Sequence, residues 1–136
     1  KEIGAIDGLN APKVIPDVDH SWWIFCFTID EDALDVSLED FAKAMSAEGM
    51  PFGKGYIPNP VFEYPVIADK LTFGSSGWPY NTDAARHDVS HDRKDYPGTM
   101  WALEHWFITN WNEGFTDPDV DDIVRGLTKV ADSFRR

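Results

Sequence analysis

Residues 103–134, LEHWFITNWNEGFTDPDVDDIVRGLTKVADSF, decide how this chain is read. They predict a short strand, a polar turn and the long last helix of the chain. The strand spans His105–Asn110, with Trp106, Ile108 and Trp111 as its bulky positions. Thr116 is the expected N-cap, with its hydroxyl placed to accept from the Asp119 N–H. Pro118 falls in the first turn, where a missing N–H costs nothing. Asp117, Asp119, Asp121 and Asp122 bring negative charge to the positive end of the helix dipole, and Arg135 and Arg136 bring positive charge to the other. Val120, Ile123, Val124, Leu127, Val130, Ala131 and Phe134 recur at helical spacing, which makes one apolar face for a core.

Working back from that helix, the same logic finds further elements. Ser21–Asp30, SWWIFCFTID, is aromatic, β-branched and free of Gly and Pro, and so reads as a strand. Bulky residues on both parities predict cover on both of its faces. Ser37 caps a helix with Asp40 three residues on, Leu38, Phe41, Ala42 and Met45 form its buried stripe, and Gly49 closes it in the left-handed conformation. Met50–Tyr56 reads as a second, irregular strand or extended edge. Residues 1–20 read as loop, broken by Gly4, Gly8, Pro12 and Pro16. Residues 57–99 show little periodicity, and the polar stretch 81–95 is expected to be functional or disordered. Pro97–Glu104 predicts a short helix. The sum is one domain over residues 1–136 of α+β class: a small three- to four-stranded, mostly antiparallel sheet with helices packed on one face.

Composition narrows the partners. Twelve basic residues against twenty-four acidic ones give a net charge of -12, a field that repels a phosphate backbone or an anionic membrane. Nucleic acid and membranes are therefore not expected as partners. Cys26 is the single cysteine, so no intrachain disulfide forms, and a reducing cytoplasm is the expected setting. No run approaches the ~18–20 apolar residues of a membrane span.

Few residues announce chemistry. His87 and His91 stand four apart beside Asp88 and Asp92, but lack both an apolar helix face and the His-Glu-x-x-His pattern, so no metal site is expected. Cys26 lies between Phe25 and Phe27 and reads as core. Gly74-Ser-Ser-Gly77 is the better of two candidates for a backbone nest, yet leads into no predicted helix. Three polar groups stand at strand ends: His20-Ser21, the Pro-stiffened Tyr56–Phe62, and Asn110–Glu113. Turn chemistry is the favoured reading of the first and last, and for Tyr56–Phe62 both readings stay open.

The order of these features resembles a known family. A His-Ser-Trp-Trp strand leads to a helix ending in Ala-Glu-Gly-Met-Pro, then to Tyr-x-Pro-x-Pro, a Trp/Phe-rich strand, and Phe-Thr-Asp-Pro-Asp-Val-Asp-Asp-Ile-Val. This is similar to the C-terminal small domain of the DegT/DnrJ/EryC1/StrS aminotransferases, pyridoxal-phosphate enzymes of the aspartate aminotransferase fold (fold type I). The resemblance covers residues 12–134. It implies a parent enzyme that aminates a nucleotide-linked keto sugar or cyclitol from an amino acid donor, glutamate or glutamine, as a homodimer. It also implies that the Schiff-base lysine and the aspartate on the pyridine nitrogen lie in a large domain upstream. None of the lysines from Lys1 to Lys129 stands in that lysine's context. The chain alone is thus expected to be catalytically inactive, with no catalytic residue of its own. Tyr56 and Asn59 are the implied substrate-facing residues, with Phe62, His20 and Asn112 behind them. Where the family often carries Pro-Leu-His, this chain has Pro60-Val61-Phe62, which loses a polar contact. A free-standing module that binds a small ligand, or a dimerisation domain, is the competing expectation.

Overall fold

In a computed structural model, residues 2–72 and 74–135 are described. Arg136, one of the two arginines expected beside the last helix, lies outside them, as do Lys1 and Phe73. The chain divides into two compact units, one running to Tyr56 and resuming at Glu104, the other spanning Ile57–Leu103.

The first unit is built on four strands: β1 (Leu9–Asn10), β2 (Ile24–Ile29), β3 (Gly53–Lys54) and β4 (Phe107–Asn110). Their order is β1-β2-β4-β3, and every pairing is antiparallel. Phe27 pairs with Phe107 and Phe25 with Thr109, so these four share one face. That face carries the core, in which Phe27, Ile29 and Phe107 meet Phe41 and Met45 of α2 (Leu38–Ala47) and Ile123, Leu127, Val130 and Ala131 of α5 (Asp117–Phe134). The other face carries Ile24, Cys26, Thr28 and Ile108, all half-buried. The fold is α+β, a small antiparallel sheet with helices packed against it.

The caps explain where the helices begin. Ser37 Oγ accepts from the Asp40 N–H at 3.2 Å and starts α2. Gly49 follows it at φ 74°. A capping box joins Thr116 and Asp119 at the start of α5, with the Thr116 N–H and hydroxyl both donating to Asp119 Oδ2, at 2.8 and 2.6 Å. At the other end, Arg135 pairs with Asp132 at 3.0 Å. A further single turn, α1 (Glu31–Leu34), is capped by Asp30 Oδ1 and ends at Asp35, which adopts φ 51°.

Three details depart from the sequence reading. His105 ends the helix that begins at Pro97, so β4 starts at Phe107 rather than at His105. Residues 1–20 are not all loop: Ile3–Ala5 form a 3-10 turn and Leu9–Asn10 form β1, an edge strand on β2. In β4 the core takes Phe107 and Thr109, while Ile108 and the preceding Trp106, the bulky positions expected from the sequence, fall on the opposite parity. Ring size does not choose the face; the register with Phe27 does.

The second unit has no strand among its described residues. It contains a 3-10 turn at Val61–Glu63, the single-turn helix α3 (Pro65–Ala68), a 3-10 turn at Arg93–Asp95 and the first residues of α4 (Pro97–His105). Side chains hold it where periodicity is missing. Phe62 stacks on Tyr96 with ring centroids 4.7 Å apart. The Arg93 guanidinium forks onto Glu63, with Nη2 to Oε2 at 2.7 Å. Tyr80 Oη donates to the Val66 carbonyl and Tyr96 Oη to that of Ser90. Among the described residues no helix is long and apolar enough to cross a membrane.

Candidate functional site

In the first unit five aromatic rings form an arc at one end of the sheet. His20 stacks on Trp22 at 4.1 Å, Trp22 meets Phe25 edge-on at 5.1 Å, and Phe25 lies 6.4 Å from Trp111, which stacks on Phe115 at 4.6 Å. The main chain sets this arc. Beyond the last paired residues of β2 and β4, the Trp111 N–H donates to the Trp23 carbonyl at 2.9 Å, which keeps the two strands together where the tryptophans project. The inner rings, Trp22, Phe25 and Trp111, wall a cleft of about 260 Å³. Val120, Ile123 and Val124 of α5 form its floor, and Glu2 and Ile3 its rim. Glu2 is the only charged side chain among these lining residues.

The sequence-predicted site residues do not form one cluster in either unit. His20 and Asn112 belong to the first unit: His20 is exposed and braces Trp22, while Asn112 Oδ1 accepts from the Gly114 N–H at 2.8 Å and so serves its own turn. Tyr56 is 46% exposed and follows β3, where the Gly55 N–H donates to the Trp106 carbonyl. In the second unit Asn59 is exposed, whereas Phe62 is 8% exposed beneath Tyr96 and His91. The Trp22–Trp111 cleft was missed. Its signal was present in the sequence as aromatics flanking both strand ends, but their convergence depends on the β2–β4 register.

The lining of the aromatic cleft does not fit pyridoxal phosphate. No lysine lines the aromatic cleft. Lys43, Lys54, Lys94 and Lys129 are engaged with Asp40, Glu39, Asp92 and Glu48. The Gly74–Gly77 turn is satisfied internally, with Ser76 Oγ accepting from the Trp78 N–H and the Ser76 carbonyl from Asn81 Nδ2. Partial burial raises the pKa of the Cys26 thiol and keeps it protonated, which suits packing rather than nucleophilic attack. No group of His, Cys, Asp and Glu among the described residues is arranged to hold a metal ion.

No protein-family model matches the chain. It is similar to the uncharacterized protein MJ1066 of Methanocaldococcus jannaschii, at 22% identity over 135 residues, 99% of this chain. The chain spans 30% of that relative's length.

Proposed function

We propose that this chain is the C-terminal small domain of a pyridoxal-phosphate-dependent aminotransferase of the DegT/DnrJ/EryC1/StrS kind. The observation that carries the reading is the order of the motifs along the first unit. The His-Ser-Trp-Trp segment enters β2, Ala-Glu-Gly-Met-Pro closes α2, the Trp/Phe-rich stretch contains β4, and Phe-Thr-Asp-Pro-Asp opens α5. A relative more than three times as long supports a longer parent protein. The parent enzyme would aminate a nucleotide-linked keto sugar or a cyclitol from glutamate or glutamine, in the cytoplasm.

In that parent, pyridoxal phosphate supplies the electron sink, held mainly by the large domain. No bond-making step falls to this chain. Its residues line the substrate side, with Tyr56 and Asn59 foremost. The parent would be a homodimer. Val61, Val66, Leu71 and Trp78 of the second unit are exposed large apolar residues, as expected of a surface that a second subunit covers.

Equilibrium dialysis against pyridoxal phosphate tests the assignment. This chain retains no visible cofactor absorbance and transfers no amino group, whereas the longer native polypeptide does both. Transamination by this chain alone overturns the proposal.

A further inference from the structure

We infer that the Trp22–Trp111 cleft is the seat of a helix, formed by the segment immediately upstream of Lys1 in the longer protein proposed above, on which this inference rests. Three observations converge on it. The first is the backbone at Glu2. The residue before a helical turn normally adopts an extended conformation and lends its side chain to the exposed N–H groups. Glu2 instead has φ -67° and ψ -43°, helical values, and its side chain caps nothing. The Ile3–Ala5 turn therefore has the geometry of a continuing helix rather than of a start.

The second is position. Glu2 and Ile3 form the rim of the cleft, and Ile3 packs against the core. A helix that ends at Glu2 would therefore end beside the cleft. The third is size and lining. About 260 Å³ is below the roughly 300–1,000 Å³ of small-molecule sites. Its lining is three aromatic rings, two valines and two isoleucines, with the Glu2 carboxylate and the two indole N–H groups as the hydrogen-bonding side-chain groups among these residues. Such a cleft suits a few aliphatic or aromatic side chains on one face of an amphipathic helix.

The test compares this chain with one extended upstream by about four helical turns, roughly 15 residues, of its native frame. Hydrogen exchange of the tryptophan indole N–H groups is followed by NMR, with Trp22→Phe and Trp111→Phe identifying the two resonances. The extension is expected to slow exchange at Trp22 and Trp111 at least tenfold and to leave exposed Trp23 unchanged. A second variant, Val124→Gln, places a polar side chain on the cleft floor. It should lower Tm more in the extended chain than in the shorter one. Equal exchange at Trp22 and Trp111 with and without the extension, or an equal Tm loss in both lengths, overturns the inference while leaving the aminotransferase reading standing. A native frame that opens at Lys1 overturns both.

Discussion

Phe27 and Phe107 face each other across the central strand pair, with ring centroids 5.4 Å apart and planes 25° from parallel. Both are buried, and Phe41 of α2 lies 5.5 Å from Phe107. This contact locks the β2–β4 register, and the register places Trp22 and Trp111 on a common cleft. Phe107→Ala should cost about 3–5 kcal/mol, the usual penalty for emptying a packed aromatic site. Urea unfolding followed by tryptophan fluorescence measures it. A loss below about 1 kcal/mol would mean that the register is held elsewhere.

Gly8 is the hinge of the edge strand. It sits at φ 83°, its carbonyl accepts from the Asp30 N–H, and a Cβ there would lie 2.6 Å from Leu34 Cγ. Leu34 is itself buried and cannot retreat. Gly8→Ala should therefore destabilise by more than about 2 kcal/mol, from the left-handed backbone together with the clash. Thermal unfolding of the variant provides the check, with Gly49→Ala as the comparison, because Gly49 has a similar φ and open space around it.

Much of this fold could be read from the sequence, because its signals are local. Caps at Ser37 and Thr116, the glycine after α2 and the apolar stripe of α5 are properties of a few neighbouring residues. What could not be read is non-local. Leu9–Asn10 form a strand only because β2 offers them an edge. Phe107 outranks Trp106 in the core only because it pairs with Phe27. Gly126 is buried because Met50 lies over it, with the methionine sulfur 2.5 Å from where a Cβ would stand. The same distinction explains the candidate site. Trp22 and Trp111 are 89 positions apart, and no spacing rule joins them.

The α5 cap should respond to acid. Hydrogen bonds from the Thr116 hydroxyl and N–H lower the Asp119 pKa below the ordinary aspartate value. A carboxylate depressed in the folded state adds stability above its unfolded pKa and loses it as pH falls through the folded one. Thr116→Ala should accordingly raise the Asp119 pKa and flatten the acid limb of the stability curve. Carboxyl NMR titration of Asp119 in both proteins tests this; an unchanged pKa would contradict the capping geometry.

Phe62 and Tyr56 should separate stability from recognition. Phe62 is packed beneath Tyr96, so Phe62→Ala should cost about 3–5 kcal/mol and speed hydrogen exchange in the Arg93–Asp95 turn. Tyr56 is half exposed, so Tyr56→Ala should change stability by no more than about 0.5 kcal/mol. In the proposed parent aminotransferase, the same Tyr56 change should raise KM for the amino acceptor. If Phe62→Ala were the neutral change and Tyr56→Ala the destabilising one, the two roles would be exchanged.

The intact mass of the native polypeptide, taken together with its bound pyridoxal phosphate, bears most directly on the proposed function. A chain roughly three times this length, with a Schiff-base lysine upstream of Lys1 and one cofactor per subunit, is the expected result. A native polypeptide that begins at Lys1 and carries no cofactor would contradict it.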